Sequence, residues 1–324
     1  MKQLFFKIAI YAFLILLVLE GIIRVFHLTK DYPVRFIDER GVERWKPHQE
    51  GNSVTGIRRQ NFSKFNINSS GYNSYRDFQP SKENVEIALV GDSFIEGFHQ
   101  DYYNSIGKKI ETTLPGVEVY EIGYAGYDFA DQLHLIHQYP SFFDLIDHVV
   151  IGLKFENDLH RGEYDIVPDR IKLESPMYRS LRKIKLLVYL QNIGAFSAAR
   201  ELTRTLLSFG QDAPDAARIE TESKESKNLR YLNYITNFES LVNTYGYNKN
   251  RYTLLINKEK TPMIFLTYLD RHGYTYLDFS ETLNQSIRPT TLIYDMHWND
   301  HGRDLIAQLI SQYLQSEFND NLLK

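Results

Sequence analysis

The chain has 324 residues, no cysteine and a formal net charge of −4 at pH 7, with 43% hydrophobic and 24% charged residues. That length holds one large domain or a core with insertions. The charge balance gives no reason to expect nucleic acid, and the missing thiols exclude a disulfide framework and a thiolate nucleophile. The 23 tyrosines and 20 phenylalanines suit an aromatic core, and also a glycan-contacting surface.

Residues 4–23 are apolar apart from Lys7, Glu20 and Gly21. The uninterrupted run, 8–19, is shorter than the ~20 residues that span a bilayer, but its flanks extend it. No small-x-small cleavage site follows, so residues 1–25 read as an uncleaved signal-anchor. Lys2 and Lys7 favour a cytoplasmic N-terminus and an extracytoplasmic remainder; Arg24, Lys30 and Arg35 weigh the other way. Residues 26–80 read as an irregular, polar-aromatic extension rich in turn formers, in which Gly71 supplies a positive φ.

An alternation of strands and helices begins near Val85. Strands are expected over 85–90, 117–120, 149–153, 252–256 and 274–277. Helices are expected over 105–113, 129–138, from Thr261-Pro262 to Gly273, and over 301–318, the last with Leu305, Ile306, Leu309, Ile310 and Leu314 on one face. This pattern predicts an α/β fold, a three-layer, doubly wound sandwich around a mainly parallel five-stranded sheet of flavodoxin-like type. The core then comprises residues 81–158 and 251–324. Residues 159–250 interrupt it as a mostly helical insertion or lid. Ser175-Pro176 opens a helix there in which Arg179, Arg182, Lys183 and Lys185 accompany Leu181, Ile184, Leu186, Leu187 and Leu190. That helix reads as a lid with a solvated basic face, or as a basic amphipathic helix on a membrane. Residues 210–228 read as a mobile loop.

The first strand ends in Gly91-Asp92-Ser93, and the last helix is preceded by Asp295-Met296-His297-Trp298. A serine hydroxyl becomes a nucleophile when a base removes its proton, and imidazole, oriented by a carboxylate, is suited to that task. Ser93, His297 and Asp295 supply the three parts. The two-residue spacing of Asp295 and His297 sends both side chains to one side of an extended loop. Attack on an ester builds an oxyanion that needs donors. The candidates are the Ser93 N–H, a glycine N–H in Gly123-Tyr124-Ala125-Gly126, and the side chain of Asn157. Each piece alone has a plain structural reading as a turn, a cap or a surface loop; all four fall at the carboxyl side of successive core elements.

In this order the blocks resemble those of the SGNH (GDSL-like) hydrolases. Gly91-Asp92-Ser93 with Gly97 is similar to the nucleophile block, and Glu121-Ile122-Gly123-Tyr124-Ala125-Gly126-Tyr127 to the oxyanion-glycine block, which maps that glycine onto Gly126. Glu156-Asn157-Asp158 is similar to the asparagine block and Asp295 to Gly302 to the histidine block. Asn68-Ser69-Ser70-Gly71-Tyr72 resembles a motif upstream of the domain in membrane-anchored bacterial members. Glu121 departs from the usual asparagine. Asp-x-His departs from the commoner Asp-x-x-His and is similar to branches related to polysaccharide O-acetyltransferases. The resemblance implies an acyl-transferring serine enzyme with no metal or organic cofactor. It would act on O-acyl, above all O-acetyl, esters of a cell-envelope glycan or lipid. If the acceptor is a sugar hydroxyl, it would be an O-acetyltransferase working with an acyl-donor partner in the membrane. The rivals are an inert, anchored glycan-binding module and a lipid-directed lipase. Tyr124, Tyr127 and Trp298 are candidates for the acceptor side or for packing.

Overall fold

The computed structural model describes residues 1–56, 59–197 and 223–318. Five strands, β5 (Val85–Gly91), β6 (Val117–Gly123), β7 (His148–Gly152), β8 (Tyr252–Ile256) and β9 (Tyr276–Asp278), form a sheet of order β6-β5-β7-β8-β9. Every neighbouring pair is parallel, with Leu89 opposite Glu121 on one side and Val150 on the other. β5 is an interior strand, between β6 and β7, and is buried almost throughout, as expected of a β-branched and aliphatic run covered on both faces.

Alternate residues of these strands enter two separate cores. Ala88, Val90, Tyr120, Ile122, Val149, Ile151, Leu254 and Ile256 pack with Phe129 and Leu133, with Phe238 and Leu241 of the Lys224–Tyr245 helix, and with Phe265. Ile87, Leu89, Val119, Val150 and Leu255 face the opposite way onto Ile106, Ile110, Ile306, Ile310 and Leu314. The period-2 strand and the amphipathic C-terminal helix, Asp300–Phe318, therefore dictate the three layers together. Each fully buried aliphatic side chain contributes about 1.5–3 kcal/mol.

The extension is more regular than its composition implies. β1 (Arg35–Ile37) pairs antiparallel with β2 (Glu43–Trp45), and β3 (Gln49–Thr55) with β4 (Asn61–Ile67). In β4 the inward positions are Ser63, Phe65 and Ile67. A buried serine, whose hydroxyl donates to the Phe98 carbonyl at 2.6 Å, interrupts the apolar alternation that marks a strand in sequence. Gly71 has φ +87°, and a Cβ there would lie 2.6 Å from the Trp45 carbonyl. The Asn68 side chain accepts from the Ser70 and Tyr72 N–H groups, and the Gly71 carbonyl accepts from Trp45 N–H. This turn pins β2 against the domain.

The N-terminal helix runs from Lys2 to Val25, 24 residues exposed along nearly all their length, and is long and apolar enough to cross a membrane. The expected single helix after Ser175-Pro176 is two, Pro176–Arg182 and Lys185–Asn192, broken at Ile184 by an extended backbone. Of the segment 210–228, residues 210–222 lie outside the described residues, and the Lys224–Tyr245 helix begins two residues after them.

Candidate active site

β5 delivers Ser93 to the carboxyl edge of the sheet as the first residue of the Ser93–Glu96 helix. Asp92 caps that turn, accepting from Phe94 N–H at 3.0 Å, and pairs with the Lys154 ammonium at the end of β7. The turn sits tightly against β6: a Cβ on Gly123 would lie 2.0 Å from the Glu96 nitrogen, so only glycine fits. From below, Trp45 Nε1 donates to Glu96 Oε1 at 2.7 Å, and Asn73 donates to the Glu96 carbonyl at 2.8 Å. The extension thus buttresses the serine turn. Burial raises the Glu96 carboxyl to about 7, against the opposing pull of the Trp45 and Ala125 N–H groups.

The loop before the last helix is held by Leu292 N–H to His297 carbonyl (2.9 Å) and Asn299 N–H to Thr290 carbonyl (3.0 Å). Arg303, fully buried, donates to both the Phe94 carbonyl (3.2 Å) and the Trp298 carbonyl (3.4 Å), tying this loop to the serine turn. The result brings Ser93, His297 and Asp295 together. His297 Nε2 lies 2.7 Å from Ser93 Oγ, and Nδ1 faces Asp295 Oδ1. A carboxylate partner fixes the proton on Nδ1, leaving Nε2 as acceptor for the serine hydroxyl. Burial works to raise the Asp295 carboxyl. The hydrogen bond from His297 and the imidazoles of His99 and His297 outweigh it and hold the group below its ordinary range.

His99 was not anticipated. Its Nε2 donates to Asp295 Oδ2 at 2.9 Å, and its ring stacks on His297 at 4.1 Å between centroids, while Phe94 covers His297 at 4.5 Å. Burial and the neighbouring His297 lower His99 to about 4, so it is neutral near pH 7. The only sequence hint is an imidazole six residues after the serine, following Gly97 at φ +69°.

Two cavities flank the serine–histidine pair. Ser93, Asp295 and His297 line one of about 520 Å³, with Ala125, Tyr189 and Ile193 also in its wall. The alternate residues Asp92, Phe94, Met296 and Trp298 line the other, about 440 Å³, together with Asn157 and Lys154. Gly126 has φ +95°, and its carbonyl accepts from Arg170 of the insertion. Asn157 is exposed at the rim of the second cavity rather than in the serine cavity's wall. Tyr124 and Tyr127 are buried, their hydroxyls donating to the Glu43 carboxylate and carbonyl, so they pack rather than line an acceptor site. Glu121 is also buried; its Oε1 accepts from Gly107 N–H at 3.0 Å, away from Ser93.

His99, Asp295 and His297 place potential ligand atoms within 4.8 Å of one another, close enough to hold a metal ion. Both Asp295 oxygens are engaged by imidazole nitrogens and His297 Nε2 by Ser93, while His99 Nδ1 is buried with no hydrogen-bond partner among the described residues.

No protein-family model matches the chain, and no curated protein matches it in sequence. Among solved structures it is similar to a lipolytic G-D-S-L family member from Veillonella parvula, with 15% identity, a TM-score of 0.37, and coverage of 70% of this chain and 96% of that one. It is also similar to a lipolytic protein of the same family from Desulfitobacterium hafniense (13% identity, TM-score 0.38, 71% and 99% covered). A lipase/acylhydrolase from Enterococcus faecalis gives 12% identity, TM-score 0.38, and 71% and 95% covered. At these scores the likeness carries no weight for function, and the chemistry rests on the geometry of the chain's own site.

Proposed function

We propose that the protein is a membrane-anchored serine esterase of O-acyl, principally O-acetyl, groups on a cell-envelope glycan or lipid, with its domain on the extracytoplasmic side. The observation that carries this reading is the 2.7 Å approach of His297 Nε2 to Ser93 Oγ with Asp295 behind the ring. Ser93 Oγ attacks the ester carbonyl as its proton passes to His297 Nε2, and Asp295 stabilises the imidazolium. The Ser93 N–H lies at a helix start, where it has no intrahelical acceptor. It receives the oxyanion, and Gly126 N–H and the Asn157 amide, the latter at the rim of the neighbouring cavity, are the further candidate donors. Collapse breaks the ester C–O bond, and the leaving alkoxide takes the proton from His297. Water then adds to the acyl-enzyme by the same route, and the acid departs as Ser93 regains its proton.

A second reading, an O-acetyltransferase, is favoured by the two cavities on either side of the Ser93–His297 pair. A sugar acceptor in the Asn157 and Trp298 cavity would replace water. An inert glycan-binding module gives no reason for a nucleophile, base and carboxylate to be aligned and buttressed. Turnover of p-nitrophenyl acetate by wild type and Ser93→Ala tests the proposal. Loss of activity by orders of magnitude in a folded variant supports it, and equal activity rejects it.

A further inference from the structure

The N-terminal helix does not end free of the domain. Glu20, the first charged residue at its far end, accepts from Lys185 N–H at 3.0 Å and Leu186 N–H at 2.6 Å, capping the Lys185–Asn192 helix. Arg24 holds Glu20 at 2.7 Å and donates to the Lys183 carbonyl. Lys185 pairs with Asp31, in the chain that leaves the N-terminal helix. The same short helix presents Tyr189 and Asn192 to the serine cavity at its other end. One eight-residue helix therefore links the end of the apolar helix to the wall of the site.

The surface beside this clasp is apolar where it meets no protein. Met177 is 62% exposed, and Leu181, one turn on, and Ile184 are each 44% exposed. Arg179 and Lys183 are exposed on the same segment. At the cavity mouth Tyr294 is 67% exposed, and Ile293 before it in the chain is 88% exposed. Large exposed apolar groups edged by basic residues fit a lipid surface of negative charge. The clasp fixes their level: an apolar helix of ~20 residues fills the hydrocarbon, so Glu20 and its partners sit at the headgroup boundary.

We propose that segment 173–196 rests on an anionic bilayer surface, with Met177, Leu181 and Ile184 entering the headgroup–acyl boundary and Arg179 and Lys183 meeting the headgroups. The Ser93 cavity then opens beside the membrane, and its acyl ester arrives from that surface. The last step rests on the esterase reading; the docking itself rests on the Lys2–Val25 span.

The absence of cysteine makes the test clean. Full-length Met177→Cys and Leu181→Cys, each carrying a nitroxide, are reconstituted in phosphatidylcholine–phosphatidylglycerol vesicles. Asn250→Cys, exposed in the turn before β8 at the amino edge of the sheet, is the control. The expected result is several-fold lower collision with a water-soluble nickel chelate, and higher collision with oxygen, at 177 and 181 than at 250. The protection weakens in phosphatidylcholine alone and in the Glu20→Gln background. Equal chelate access at 181 and 250 overturns the proposal. The readout is independent of turnover: buried labels on an inactive protein count against the esterase reading alone, and water-exposed labels on an active one count against the docking alone.

Discussion

His99 Nε2 stands 2.9 Å from Asp295 Oδ2, so the carboxylate that faces His297 is gripped from both sides. Neutral His99 satisfies the second oxygen without adding charge, and its ring stacked on His297 limits the tilt of the base. We assign it as a positioning residue. His99→Ala should lower kcat by up to about 100-fold, the cost of a small misplacement of a reacting group. His99→Gln, which keeps a donor near Nε2, should recover part of it. Loss of that donor also raises the Asp295 carboxyl, so the acid limb of the pH–rate profile should move to higher pH. A merely structural role would lower Tm and leave that limb in place.

Glu121 gives a pH dependence of stability. It is buried and raised to about 7 by burial, which outweighs the Ser105 and Gly107 donors and nearby Arg303. The folded state therefore holds this proton more tightly than the unfolded chain. The stabilisation from it is complete below the ordinary glutamate range and is lost as pH rises toward and through 7. Glu121→Gln keeps the acceptor for Gly107 N–H and abolishes the titration. Relative to wild type, its stability should rise between pH 4.5 and 7 by on the order of 3 kcal/mol. Denaturant melts across that range check it, and parallel curves would contradict it.

Asn157 divides two forms of the oxyanion site. If its amide donates to the developing charge, Asn157→Ala should lower kcat by ~10²-fold with little change in KM. Unchanged kcat would leave the backbone N–H groups alone in that role and assign Asn157 to the neighbouring cavity.

Because both Asp295 oxygens and His297 Nε2 are engaged within the Ser93–His297–Asp295–His99 hydrogen bonds, dialysis against a chelator should leave ester turnover unchanged. Loss of turnover restored by a divalent cation would contradict that reading.

The parallel core was legible because its strands are short, continuous apolar runs such as Val85–Gly91, and because the C-terminal helix keeps one apolar face. The serine, histidine and carboxylate were legible because each follows a core element at the carboxyl edge. What supports them was not. Trp45 and Glu96 are 51 residues apart, and His99 and Asp295 are 196 apart; no local period joins either pair. The β3–β4 hairpin of the extension hid behind a buried, hydrogen-bonded Ser63. Tyr124 and Tyr127 pack beneath the site through Glu43, a residue whose burial depends on Arg35 and Arg170 from two other segments.

The most direct measurement is peptide mass spectrometry of the full-length protein after reaction with a fluorophosphonate. Activation of Ser93 by His297 predicts one stoichiometric adduct on the peptide containing Ser93, absent in His297→Ala. A folded protein left unmodified, or modified at another residue, would contradict it.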